Sequence, residues 1–520
     1  MKRFLIFICI FAVVNVYAQN TKTDEIFDAM QQEMKRTMSL SKTAPKIHFA
    51  AFRVADYSDV SIIAARGGIV QENSRQWVNT DVSLRVGTQK EDNSFFETNT
   101  FIQSNLQDGA LSTEGVRAGL WAIADKSYKD ALDIYARKQG YKNKKAQEEV
   151  FDDFSAPNTA QDIKVYEKVI LPLNTLKEIA QKTSAAGALS ELEKFNTEII
   201  IYDEISYYLS SEGAKYTKQD FLIQIAFYAK SRTQKGFEFD DIKLLSYASL
   251  KDLPPVNELE DIARDFAKQT ATFTEAQKGT AFIGPVWLSG EASAKMFENT
   301  FIKNINNTRK IIFDMGGGNF QYALGEFALK ENLKVLPVNF DVIDDPMQEE
   351  FNGQKMLGAY TIDDEGSKAK ALSLVKNGIL KDLPKTRALT KNQTKTNGHA
   401  FVNWGQNLYA KAKVKNLFFF PHETTPIDDF KQKFMDFCKA EGLEYCYKIS
   451  TRSIAEKGDI LAVKINANTG EETPVYGLKA PALNSRTLRD IKFAADDLTL
   501  YNTEEGISYV VPSVILSEAE

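Results

Sequence analysis

The sequence predicts an α+β protein with two parts: an N-terminal α/β region with an antiparallel sheet and long helices, then a C-terminal β-rich region of barrel-like or sandwich type. Three observations predict it. Two long apolar runs, TEIIIYDEISYYLSSEG and AKYTKQDFLIQIAFYAKS, meet at a Ser-Glu-Gly turn, amphipathic segments of helical period flank them, and from Lys310 onward short β-rich runs alternate with Gly, Asn and Asp turns. A chain of 520 residues is long for one hydrophobic core, and two domains are expected, at 19–275 and 276–520.

Residues 1–18 read as a secretory signal. Lys2 and Arg3 form a basic start, Phe4 to Val14 an apolar core too short to span a bilayer, and Val16-Tyr17-Ala18 a small-residue cleavage site. The protein is therefore expected to be exported, periplasmic or extracellular, without stable membrane insertion. Beyond the leader, 62 basic and 70 acidic residues give a net charge of −8, spread without basic blocks. No phosphate-tracking surface is predicted, and nucleic acid is excluded as a partner.

Ile26, Met30, Met34 and Met38 recur every four residues behind Thr23 and Asp24, which predicts an amphipathic helix with an N-cap there. A methionine stripe can line a groove, but at this spacing the core reading is preferred. Next, HFAAFRV, VSIIAARGGIVQ and WVNTDVSLRV read as three strands of an antiparallel meander. A helix from about Thr113 to Gly140 carries Leu120, Ala124, Tyr128, Leu132 and Tyr135 on one side, with Gly140 as its stop. Residues 141–161 read as a surface connection, and further helices are predicted after Pro172 and over Val256 to Thr272.

Thr280 to Leu288 begins the second half, an apolar run ends in Ser289, and Gly290 onward reads as a helix. DMGGGNF at Asp314 to Phe320 lacks the order of a phosphate loop and reads as a hairpin connection. Asp344-Asp345-Pro346 and Asp363-Asp364-Glu365-Gly366 offer carboxylates at turns, where Asp satisfies nearby N–H groups and Gly supplies positive φ. We read them as architecture, with weak divalent-cation binding as the lesser reading. Cys438 and Cys446 stand between a helix over Asp428 to Ala440 and a strand from near Leu443. They form a short disulfide or remain buried thiols. The three histidines, His48, His399 and His422, show no two-histidine helical spacing, and no serine or cysteine has a nucleophile context. His422 and Glu423 read as a surface loop pair.

GPVWLSGEASAKMF at Gly284 to Phe297 resembles the HExxxH helix of the TldD/PmbA zinc peptidases, once described as modulators of DNA gyrase. VIDDP, TIDDEG, LVKNGIL and TNGHA then follow in that family's order, and AKVKNLFFFP and PVYGLKAPALNSRTLRDI resemble two of its later strand segments. The resemblance covers most of the chain beyond the leader. It places Gly290 and Lys295 at the two histidines and Glu291 at the glutamate, while the tail from Leu500 onward lacks the family's cysteine ligand. Neither glycine nor a protonated lysine donates an electron pair to zinc, so the metal site is degenerate and no cofactor is expected, although active relatives hold zinc. Glu291 is then a vestigial catalytic position, favourable at a helix N-terminus. Lys295 either pairs with Glu291 or faces water. His399, in a segment that the resemblance sets near the active site, is the best remaining metal candidate, with Glu291 and one cysteine. The Asp363 to Gly366 turn is expected to frame the cleft.

The resemblance implies a non-catalytic subunit of a peptide-degrading or peptide-processing assembly. It would dimerise with itself or with a motif-bearing TldD-like relative and admit peptides or unfolded segments. Two alternatives remain: an active zinc metallopeptidase with rearranged ligands, and a stand-alone extracytoplasmic peptide-binding protein using strand addition.

Overall fold

A computed structural model describes residues 22–96, 102–144, 152–156, 160–280, 282–312, 324–390, 393–402, 404, 409–451, 459–481, 483–503 and 505–519. The signal segment and DMGGGNF lie outside these residues.

The first helix, α1 (22–38), buries Ile26, Met30 and Met34 in the core. It is already helical at residue 22, so Thr23 and Asp24 lie inside it rather than capping it. The expected three-strand meander is instead two long strands, β1 (Ile47–Ala65) and β2 (Gly68–Val86), paired antiparallel along most of their length. They turn at Arg66 and Gly67, with φ of 50° and 80°, the backbone that a tight hairpin needs. The polar stretch Asp56 to Asp59 continues β1 because strands pair with it on both sides.

Strand β3 (Ile102–Asp108) pairs with β2 and precedes α2 (Thr113–Lys144), which runs through Gly140 instead of stopping there. The predicted surface connection is corrected too: Asp153, Phe154 and Ser155 are buried. After β4 (Gln161–Asp162) come α3 (Leu173–Ala186), β5 (Lys194–Ser210), β6 (Lys215–Arg232), β7 (Glu238–Tyr247) and α4 (Val256–Ala271). The sheet runs β3-β2-β1-β5-β6-β4, with β7 also on β6. Helices α1 and α2 pack on its β1–β2 region, and α3 and α4 pack where β5 and β6 are apolar.

The second half begins with β8 (Gln277–Lys278), β9 (Gly284–Leu288) and α5 (Gly290–Thr300). Short strands follow: β10 (Phe340–Asp344), β11 (Glu350–Phe351), β12 (Gln354–Lys355), β13 (Leu372–Lys376), β14 (Ile379–Leu380), β15 (Ala400–Phe401), β16 (Lys411–Ala412) and β17 (Asn416–Pro421). Helix α6 (Ile427–Ala440) leads to β18 (Tyr445–Ile449), β19 (Asp459–Asn466) and β20 (Glu472–Lys479). The chain continues through β21 (Ile491–Ala494), β22 (Thr499–Asn502), β23 (Ser508–Val511) and β24 (Val514–Ala519).

These strands form two main sheets, β14-β13-β10-β17-β23-β22 and β21-β24-β9-β18-β19-β20-β8, around a shared apolar core with α5. Among the described residues no closed barrel forms, and the pairing is mixed rather than purely antiparallel: β17 with β23, β9 with β18 and β8 with β20 run parallel. The fold is thus α+β, an α/β N-terminal part with a β-rich C-terminal part.

Cys438 and Cys446 form a disulfide between α6 and β18, with Cα atoms 6.2 Å apart, within the range this bond requires. Both lie in an apolar cluster with Trp287, Phe430 and Phe434. Closing so short a loop is worth roughly 2.5 kcal/mol by loop-entropy reasoning. Cys438→Ala with Cys446→Ala is expected to lower unfolding free energy by about that amount. Urea denaturation checks it, and an unchanged midpoint would show that the bond constrains nothing.

Candidate functional site

The five residues of β9 are all buried, held between β24 and β18 at the centre of a sheet. This fixes where the next residues emerge. Ser289 is extended, and Gly290 turns the chain with φ of 56°, a left-handed conformation that glycine adopts freely. Helix α5 then buries Ala292, Ser293, Ala294, Met296, Phe297 and Thr300. The Ser293 hydroxyl donates to the Pro512 carbonyl at 2.6 Å, locking the helix to the C-terminal strands. What remains on its open side is Glu291, Lys295 and Glu298, each half-buried.

This side faces a cleft of about 980 Å³ bounded by residues 243–248 in and after β7, by α5, by residues 411–414 and by residues 499–503. Glu291 and Lys295 both line it. Lys295 does not pair with Glu291: its ammonium donates to Glu298 at 2.6 Å. Gly290 lies on a smaller cavity of about 250 Å³, and Tyr501 lines both spaces. A Cβ at position 290 would sit 3.6 Å from the Ser450 carbonyl and 3.8 Å from the Tyr501 hydroxyl. Burial and the nearby Glu291 carboxylate push the Tyr501 phenol above the ordinary tyrosine range, and burial with Glu298 does the same to Tyr509. Both stay protonated donors at neutral pH.

These residues do not fit zinc. Position 290 has no side chain, the Lys295 ammonium is committed to Glu298, and the phenol beside them holds its proton. Among the described residues, no three His, Cys, Asp or Glu side chains converge as a metal site.

His399 is not brought to this cleft as a ligand. It is fully buried, with Nδ1 3.1 Å from the Asn397 carbonyl and Nε2 2.9 Å from Asp344, a close contact that lacks hydrogen-bond direction. The proposed set of His399, Glu291 and a cysteine is overturned, because both cysteines of the second half are joined to each other. His422 is part exposed and 3.3 Å from Asp341 rather than paired with Glu423.

The acidic turns are built into the framework. Asp344 accepts from the Asn416 N–H at 2.7 Å. Asp363 accepts from the N–H groups of Glu365, Ser367 and Ala400 at 3.0, 2.7 and 3.1 Å. Burial, reinforced by Glu365, raises the Asp363 pKa, and the hydrogen bonds from Ser367 and Ala400 oppose it. Asp364 accepts from the Val402 N–H at 2.9 Å and faces Lys218 of β6 at 3.5 Å. Glu365 accepts from the Arg387 N–H at 2.7 Å, and Gly366 has φ of 78°. This turn therefore abuts the N-terminal sheet, not α5.

The resemblance sets the missing third ligand in the tail near Tyr501 or Asn502, and Tyr501 is the one that reaches Gly290, whereas the Lys295–Glu298 pair is not among the sequence expectations. The first contact joins residues far apart in the chain and carries no local signal. The second is a helical i, i+3 pair, visible in KMFE once the helix is assigned.

Helix α5 thus presents carboxylates and an ammonium to the cleft, but no histidine or cysteine. Residues 284–436 match the sequence model of the PmbA/TldA metallopeptidase C-terminal domain, which supports the resemblance to the TldD/PmbA family. Solved structures extend the likeness to the whole fold. A proposed modulator of a DNA gyrase from Thermotoga maritima has a TM-score of 0.63 at 14% identity, covering 94% of this chain and 99% of that one. TldE from Thermococcus kodakarensis has a TM-score of 0.60 at 11% identity, covering 94% and 99%. A proposed modulator of DNA gyrase from Bacteroides thetaiotaomicron has a TM-score of 0.58 at 13% identity, covering 95% and 98%. Among curated proteins none matches.

Proposed function

We propose that this chain is an exported, non-catalytic TldD/PmbA-type subunit that dimerises, with itself or with a motif-bearing relative, and forms walls of a chamber for peptides or unfolded segments. The observation that carries the reading is what lines the cleft at the positions the resemblance assigns to zinc ligands: Gly290 without a side chain, Lys295 bonded to Glu298, and the Tyr501 hydroxyl beside them. The cleft itself is kept, at the upper end of the size range of small-molecule pockets. The disulfide supports export, since such bonds persist in oxidising compartments. A second reading has its own support: among the described residues β7 pairs only with β6, and its residues 243–247 line the cleft, so a lone chain could accept a peptide strand there.

Elemental analysis with sedimentation tests the proposal. The purified chain is expected to carry no stoichiometric zinc and to form a dimer, alone or with a relative bearing HExxxH, across an interface burying more than about 2,000 Å². One zinc per chain, lost in His399→Ala, would restore the metallopeptidase reading. A monomer in both experiments, with the relative cleaving peptides equally well alone, would leave the stand-alone binder.

A further inference from the structure

A second, polar cavity of about 200 Å³ lies between the long-stranded sheet and the C-terminal half, away from α5. Strand alternation builds it: Glu204, Ser206 and Tyr208 of β5 stand opposite Asp220, Lys218 and Tyr216 of β6. One wall is already satisfied. Arg53 of β1 contacts Glu204 and Asp81 and lies over the Trp404 ring, and the Tyr202 hydroxyl donates to Glu204 at 2.8 Å.

Part of the remaining lining is less fully paired. Among the described residues, the Lys415 ammonium has no hydrogen bond or ion pair, only the Phe401 ring at 4.6 Å. The Lys218 ammonium is 3.5 Å from Asp364 and 3.9 Å from Asp220, ion pairs too long for good hydrogen bonds. Tyr208 and Tyr216 are 3% and 4% exposed and stack at 4.8 Å, yet among the described residues no hydrogen bond uses either hydroxyl. Each ammonium carries three donors, and two like charges facing one cavity repel unless an anion sits between them. Burial and the Lys218 charge accordingly hold Lys415 below the usual lysine range.

We propose that this cavity binds a small zwitterion of α-amino-acid size, its carboxylate between Lys218 and Lys415 and its ammonium toward Asp220 and Asp364. Two cations and two carboxylates make these four residues neutral, which matches a ligand carrying one charge of each sign better than a simple anion or cation. The volume lies below the range of about 300–1,000 Å³ that suits drug-sized ligands, and so favours a single amino acid. Asp220, half exposed, stands where the ligand would enter.

Calorimetric titration of the full chain with L-alanine, acetate and ethylamine tests the site. Alanine is expected to bind saturably at millimolar concentration or below, and acetate and ethylamine at least about tenfold more weakly. Lys415→Met is expected to weaken alanine binding at least about tenfold, while Lys295→Met in the larger cleft leaves it unchanged. If Lys415→Met misfolds, Asp220→Asn, at an exposed position, is expected to give the same loss. No saturable alanine binding, acetate binding as tight as alanine, or alanine binding indifferent to both Lys415→Met and Asp220→Asn would each overturn the proposal. Zinc content and dimerisation are independent of all these outcomes.

Discussion

Asp153→Ala is expected to lower the unfolding free energy by about 3–5 kcal/mol, the cost of leaving a buried charge without its partner. The Lys138 side chain, 2% exposed, spends its three donors at 2.8 Å on the Asp92 carbonyl, the Ser94 carbonyl and the Asp153 carboxylate. The same carboxylate accepts from the Asp92 N–H at 2.8 Å and from Arg309 at 2.6 Å. Arg309 also lies over Phe95, which packs on Phe154 and Tyr409. One carboxylate thus joins α2, the segment after β2 and the chain that follows α5. Alanine removes it and strands a buried ammonium. Asp153→Asn keeps the shape and a carbonyl acceptor, so its loss should be about half as large. Urea denaturation followed by fluorescence measures both, and a loss below about 1 kcal/mol for Asp153→Ala would mean that water reaches Lys138 and replaces the carboxylate.

Where one face of an element meets the core, its pattern could be read. Ile26, Met30 and Met34 face the core at helical spacing, and the Ser-Glu-Gly turn joins β5 to β6. Reading failed where polar residues are buried by partners. Asp56 to Asp59 looked like a turn, but Asp56 is 6% exposed, accepts from Gln76 and gives its carbonyl to Lys168. Asp153 sits in a polar stretch that looked like surface, and only its distant partners Lys138 and Arg309 explain its burial.

The candidate site shows the same division. The helix that opens at Gly290 and the absence of histidine and cysteine on it are local facts of sequence. That Tyr501 comes to Gly290 depends on β22 joining β23 and on β23 joining β17, a parallel pairing that sets Asn416 beside Ser508. The Lys415 cavity is still less legible, because strand register decides which residues of β5 and β6 share a face.

Gly290→His, Lys295→His and Tyr501→Cys together are expected to raise zinc affinity at least about a hundredfold over the wild-type chain, about 2.8 kcal/mol. The substitutions place two imidazoles and a thiolate around Glu291, a donor set that zinc favours. Space at position 290 permits it, since an added Cβ meets its neighbours at 3.6 Å and 3.8 Å, ordinary contact distances. The backbone is less accommodating: φ of 56° costs a histidine roughly 1–2 kcal/mol. Losing the partly exposed Lys295–Glu298 pair costs no more than about 1 kcal/mol. The metal-free triple variant should therefore melt below wild type. Zinc at a hundred times its dissociation constant should return about 2.7 kcal/mol by linkage. Asn502→Cys in place of Tyr501→Cys is the control, because Asn502 points to the other side of β22, hydrogen-bonded to Lys355 and Ser508. Zinc titration against a chromogenic chelator, with melting curves in and out of zinc, reads all these states. If the triple variant folds yet gains no affinity, or the Asn502→Cys version binds as tightly, then positions 290, 295 and 501 do not surround one metal position and the degenerate-site reading of this cleft is wrong.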